Sequence, residues 1–127
     1  MKFTFVQPAS FVSDWRRLGL TDADLQALEA EIMDRPSVGA VLRGAGGLRK
    51  MRFAPRSQHV GKSGATRVCY VVFERAARCY LLIIFPKNEQ SNLSAADKAR
   101  WRSWIAAKHK ELNDEDSKGA TRHSGRR

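Results

Sequence analysis

The pattern of hydrophobic and polar positions predicts four strands. In the first two stretches apolar and polar side chains alternate, as they do when one face of a strand is buried, and the last two are more continuously apolar and give the strongest strand signals. These stretches cover residues 2–7, 48–53, 66–74 and 79–85. A tight turn at Ala76 and Ala77 joins the last two, and this turn predicts that Cys69 lies opposite Ile84. Cys79 is then out of reach of Cys69, so we expect no disulfide.

Apolar residues at helical spacing predict three helices. The first covers residues 9–18, and Thr21 then begins a second helix that ends before Pro36. A third helix is predicted over residues 95–112. The order β-α-α-β-β-β-α predicts an α+β fold, in which an N-terminal strand and a helical hairpin precede an antiparallel sheet and a C-terminal helix.

Length and composition agree with one small domain. The chain has 127 residues, and 43% of them are hydrophobic. We expect a domain over residues 1–112, followed at 113–127 by a polar tail that lacks core residues and is disordered. No apolar stretch reaches the ~18 residues of a membrane span, and residues 1–10 lack the apolar core of a signal peptide. These features predict a cytoplasmic protein that does not enter a membrane.

Positive charge is concentrated in the middle of the chain. The net charge is +10, yet residues 43–112 alone hold 15 basic and 4 acidic side chains. Residues 43–67 contain no acid and seven cations, which are Arg43, Arg49, Lys50, Arg52, Arg56, Lys62 and Arg67. A solvated surface usually mixes the two signs. This segment therefore indicates a surface that binds a polyanion, such as the phosphates of a nucleic acid.

The residue types limit the chemistry of such a surface. The histidines lie far apart, and no CxxC, HxxxH or carboxylate cluster offers a metal site, so we expect no metal or cofactor. Burial of Met51 and Phe53 would leave Lys50 and Arg52 on the opposite strand face, with Arg67 on a neighbouring strand. Guanidinium groups offset phosphate charge but do not titrate. RNA cleavage by cations alone therefore requires a partner that positions the substrate.

Four segments, in this order, resemble signatures of the RelE/HigB family of bacterial toxins. They are GAGGLRKMRF at 44–53, GKSGATRVCY at 61–70, YLLIIFPKNE at 80–89 and NLS at 92–94. The resemblance is greatest to the HigB branch and its phage-derived relatives. It implies a fold of the RelE/ParE type.

The resemblance also implies an activity and a set of partners. It implies the toxin of a type II toxin–antitoxin system, a metal-independent endoribonuclease that cleaves mRNA in the ribosomal A site and inhibits translation. The implied partners are the ribosome, mRNA and a cognate antitoxin, often of the helix-turn-helix type. Operator DNA would be bound only through the toxin–antitoxin complex.

Matched residue by residue, the resemblance assigns five candidate catalytic positions. Lys50 and Arg52 fall on the family's two basic strand positions, and Arg67 falls on its phosphate-facing arginine. Lys87 and Asn88 belong to the KNE segment. The candidate RNA-backbone contacts are Arg43, Arg49, Arg56 and Lys62.

Two alternatives stay open at this point. Some relatives carry an arginine where Asn88 stands and a catalytic tyrosine near Ser94, and neither is present here. The chain could therefore be a decayed module that only binds RNA or an antitoxin. It could also be a toxin of the ParE type, which inhibits DNA gyrase without cleaving RNA.

Overall fold

The computed structural model describes residues 2–58, 66–86 and 92–125. Its strands are β1 (Thr4–Val6), β2 (Ala40–Val41), β3 (Arg49–Phe53), β4 (Thr66–Phe73) and β5 (Arg78–Pro86). Its helices are α1 (Ala9–Arg17), α2 (Asp22–Asp34) and α3 (Ala95–Gly125), and a short 3₁₀ helix covers Arg56–Gln58. The predicted α+β fold is confirmed.

The five strands form one mixed sheet in the order β1-β5-β4-β3-β2. Neighbours from β2 to β5 pair antiparallel, as predicted, whereas β1 pairs parallel with β5. The antiparallel sheet predicted after the helical hairpin is confirmed, and β1 extends it as a parallel edge strand that the sequence did not place. Parallel pairing requires a long connection, and the elements between β1 and β5 provide one. The two-residue β2 was not predicted because it is too short to show an alternating pattern.

Different helices cover the two faces of the sheet. One face packs against α1 and α2, and Leu28 of α2 shares a buried core with Met51 of β3. The other face packs against α3, where Ile105 shares a second core with Cys69 of β4. Leu48 is also fully buried in this second core, although it is out of phase with Met51 along the chain. We refer to these as the hairpin face and the α3 face of the sheet.

The β4–β5 hairpin differs from the predicted register. Its turn lies one residue earlier than expected, and Ala77 N–H donates to the Glu74 carbonyl at 3.0 Å. A β-bulge then shifts the ladder, so that Cys69 pairs with Ile83. The predicted pairing of Cys69 with Ile84 is therefore wrong by one residue. A bulge inserts one extra residue into a strand and cannot be read from alternation alone.

Helix α3 continues beyond its predicted end. The sequence predicts that the helix stops at Leu112 and that a disordered tail follows, whereas the helix reaches Gly125. Residues 113–118 contain no glycine or proline that would break it, and Glu115 forms an ion pair with Arg78 of β5 at 3.8 Å. The division into a domain and a tail at residue 112 stays a prediction.

No helix in the described part of the chain is both long and apolar enough to cross a membrane.

Hydrogen bonds join the start of α2 to the turn that follows β3. Thr21 and Asp24 form the capping box that the sequence predicts, with both bonds at 3.0 Å. Ser57 Oγ also donates to Asp24 Oδ2 at 2.5 Å. Gln58 Nε2 donates to the Leu18 carbonyl at 2.7 Å. Together these bonds fix the direction in which the chain leaves β3.

Asp24 makes the fold sensitive to acid. Burial alone would raise the pKa of Asp24, but hydrogen bonds from Ser57 and Thr21 outweigh burial and hold that pKa below its usual range. A depressed folded pKa means that the stabilisation is present above the unfolded pKa, about 3.9, and is lost as the pH falls through the folded value. We expect the free energy of unfolding to fall in this acidic window, and to fall less steeply in Asp24→Asn. Urea unfolding of both proteins across the window measures the difference, and equal slopes would contradict the assignment.

Candidate functional site

Adjacent strands β3 and β4 place three cations on the α3 face of the sheet. Met51 and Phe53 are buried in the hairpin-face core, which confirms the predicted alternation along β3. Lys50 and Arg52 consequently point to the opposite face. Arg67 lies directly across the ladder from Arg52. We refer to Lys50, Arg52 and Arg67 as the basic triad.

The pairing of Arg52 with Arg67 is unusual for a sheet. Like charges directly opposite each other on neighbouring strands are destabilising. Arg67 is only 8% exposed, whereas Arg52 is exposed to solvent. A bound phosphate would offset both charges, and two guanidinium groups can each form a bidentate contact with it. The chemistry of the two side chains is therefore suited to binding an anion.

Lys50 lies between a buried thiol and the segment that precedes α3. Its cross-strand partner is Cys69, and burial raises the pKa of that thiol to about 12 even though the charge of Lys50 acts in the opposite direction. Cys69 is therefore a neutral thiol and not a nucleophile. On the other side, Lys50 Nζ lies 3.4 Å from Asn92 Oδ1. Asn92 Oδ1 also accepts from the Leu93 N–H at 3.0 Å, which orients the amide.

The contact with Asn92 was not predicted from the sequence. Lys50 and Asn92 are 42 positions apart. Asn92 stands in the NLS segment, which was noted only as part of a family resemblance. A folded α3 face is needed to bring the two residues together.

The candidate RNA contacts do not all lie beside the basic triad. Arg49 points to the opposite face of the sheet from Lys50, and its Nη1 donates to the Gly39 carbonyl at 2.7 Å. Arg43 is exposed in the turn between β2 and β3, and Arg56 is exposed in the 3₁₀ helix. The remaining three candidates, Lys62, Lys87 and Asn88, lie outside the described residues.

The chemistry at this site is that of cations. In the part of the chain that the structure describes, neither Lys50 nor Arg52 forms an ion pair, and no group of three or more potential metal-binding side chains occurs. His109 packs against Phe73, with ring centroids 6.0 Å apart. Phe73 and Arg67 lie near opposite ends of β4, and the six residue steps between them span about 20 Å. The basic triad can thus bind and neutralise a phosphate, whereas proton transfer by His109 is out of reach.

Comparison with known proteins identifies a similar fold. No protein-family model matches the chain. The free-state structure of a double arginine-to-alanine variant of the E. coli toxin RelE is similar, with a TM-score of 0.54 and 18% sequence identity. The match covers 80% of this chain and 98% of the RelE chain. The protein therefore has a RelE-like α+β fold.

Proposed function

We propose that this protein is the toxin of a type II toxin–antitoxin system and acts as a ribosome-dependent endoribonuclease of the HigB branch. The observation that carries the proposal is the basic triad on one face of a RelE-like sheet. A site built from cations suits a phosphodiester, since negative charge develops on the phosphate during cleavage. RNA supplies its own nucleophile, the 2′-hydroxyl, so the protein needs neither a metal nor a nucleophilic side chain.

The reaction that fits these residues is an internal transesterification. The 2′-oxygen attacks the adjacent phosphorus, and the bond from phosphorus to the 5′-oxygen breaks. The products are a 2′,3′-cyclic phosphate and a free 5′-hydroxyl, and the 2′-hydroxyl proton leaves as the 5′-oxygen gains one. Arg52 and Arg67 would stabilise the charge on the non-bridging oxygens, and Lys50 would act on the same phosphate as a compact point charge.

The ribosome would supply what this site lacks. Efficient proton transfer usually involves a histidine or a carboxylate near the reacting atoms, and neither residue type contacts Lys50 or Arg52 in the described part of the chain. Holding the 2′-oxygen in line with the scissile bond can contribute about 7–11 kcal/mol of the barrier. An mRNA held in the A site is already fixed in position. The proposal therefore assigns alignment to the ribosome and charge stabilisation to the toxin.

A cognate antitoxin is the second expected partner. In the proposed system this toxin acts in the cytoplasm. Its antitoxin is often of the helix-turn-helix type, and the complex of the two would bind operator DNA. An acidic or amphipathic segment of this antitoxin would cover the basic segment at residues 43–67 or extend the sheet edge. Binding through charge weakens as salt rises, so the affinity of the complex should fall with ionic strength.

Expression of the protein without an antitoxin tests the proposed activity. We expect growth arrest together with mRNA cuts that follow the reading frame, because the ribosome presents one codon at a time. Primer extension on a cellular message before and after induction reads the cut sites, and an untranslated copy of the same message is the control. Growth arrest with intact mRNA and inhibited gyrase would instead indicate the ParE-type activity. Harmless expression would indicate a module that only binds.

A further inference from the structure

The turn between β2 and β3 packs tightly onto α3. Ala45 is fully buried in the α3-face core. Gly46 has a φ of 71°, and a Cβ atom added there would lie 3.0 Å from the Arg102 Cα atom. Arg102 Nη1 also donates to the Gly44 carbonyl at 3.2 Å. The turn and the helix therefore hold each other in a fixed relative position.

This packing brings together cations that are far apart in the sequence. Arg43 precedes Gly44 directly and is exposed, as is Arg102. Lys98 lies one helical turn before Arg102, and like charges at this spacing are mildly destabilising. The start of α3 also lies close to the basic triad, through the contact between Lys50 and Asn92. The basic surface thus continues from the sheet onto α3.

These cations differ from Arg100 and Lys108 of α3, because no counter-charge is paired with them among the residues that the structure describes. Arg100 pairs with Asp97, and Lys108 pairs with Glu111 while lying over the rings of Tyr80 and Trp104. By contrast, none of the three residues Arg43, Lys98 and Arg102 forms an ion pair within the described ranges. Their charge is available to an external anion.

We infer that Arg43, Lys98 and Arg102 form a second phosphate-binding surface, which holds the RNA backbone outside the nucleotides that react at the basic triad. The inference rests on the proposed function in taking RNA as the partner. Guanidinium and ammonium groups bind phosphates without regard to base identity, and here Arg43 and Arg102 are exposed while Lys98 is half-buried. This surface would therefore raise affinity and set the path of the strand, while the chemistry stays at Lys50, Arg52 and Arg67.

The test measures binding of an RNA that cannot react. A single-stranded oligonucleotide with 2′-O-methyl groups lacks the nucleophile, so its affinity reports contacts alone. For Arg43→Ala/Arg102→Ala we expect weaker binding and a slope of log K against log salt that is shallower by roughly 1.4, since each lost single-strand phosphate contact removes roughly 0.7. Arg75→Ala/Lys110→Ala removes the same charge from other exposed positions and is the matched control.

Each outcome of this experiment decides the inference. A loss confined to the Arg43/Arg102 variant supports it, and Lys98→Gln should then show a smaller loss in the same direction. An equal loss in the control would assign the effect to net charge, and an unchanged slope would overturn the surface directly. Equal competition by polyglutamate would show a general polyanion site and reject RNA as the specific partner. The proposed function fails separately, in the growth and primer-extension experiments, because the 2′-O-methyl RNA reports no cleavage.

Discussion

Replacing Arg67 by methionine is expected to slow mRNA cleavage by about 10²–10³-fold, the usual effect of removing one group that stabilises developing charge. Methionine is similar in length to the aliphatic part of the arginine side chain and lacks the guanidinium. Arg67 is largely buried on the α3 face and lies opposite Arg52 across the ladder. Its charge is therefore held in one place, in surroundings where electrostatic interactions are stronger than in water.

A cleavage assay with purified protein, programmed ribosomes and a defined mRNA measures this effect in a single turnover. Arg75→Met is the matched control, because Arg75 is an exposed arginine at the β4–β5 turn, away from the basic triad. Thermal unfolding of both variants checks that the fold is retained. Cleavage by Arg67→Met at the unmodified rate would remove Arg67 from the proposed mechanism.

The placement of the basic triad was largely predictable from the sequence. Alternation along one short strand assigned Met51 and Phe53 to a buried face and Lys50 and Arg52 to the other, and the structure agrees. The reason is physical, since side chains alternate with a period of two along any strand. The same rule places Arg49 on the face away from Lys50, although charge density alone had grouped it with the other cations.

Features that depend on contacts between distant segments were not predictable in this way. The bulge that pairs Cys69 with Ile83 follows from how two strands fit together, and no local pattern encodes it. The contact between Lys50 and Asn92 and the packing of Gly46 on Arg102 likewise require a folded α3. Charge counting found the basic segment at residues 43–67 but could not extend it onto a helix some 50 positions later, because helix and strand meet only in three dimensions.

The edge of the sheet depends on one buried tyrosine of β4. Tyr70 is fully buried in the hairpin-face core, and its hydroxyl donates to the Pro36 carbonyl at 2.7 Å and accepts from the Gly39 N–H at 2.9 Å. Burial raises the pKa of Tyr70, so the hydroxyl stays protonated and able to donate. A Cβ atom on Gly39 would lie 2.8 Å from the Tyr70 ring, which shows how closely this segment approaches the sheet. One hydroxyl thus fixes the chain that leads into β2.

We expect Tyr70→Phe to lower the free energy of unfolding by about 1–3 kcal/mol, because it leaves the buried Gly39 N–H without a partner. The partly buried Pro36 carbonyl also loses its donor, but water can reach it more easily. Tyr80→Phe is the matched control, since the Tyr80 hydroxyl makes no hydrogen bond to any residue that the structure describes. Urea unfolding measures both variants, and equal losses would contradict the role of the Tyr70 hydroxyl. Cleavage by the folded fraction of Tyr70→Phe should persist, because Tyr70 faces α1 and α2 while the basic triad faces α3. The hairpin face would then contribute this stability, and the α3 face would carry the activity.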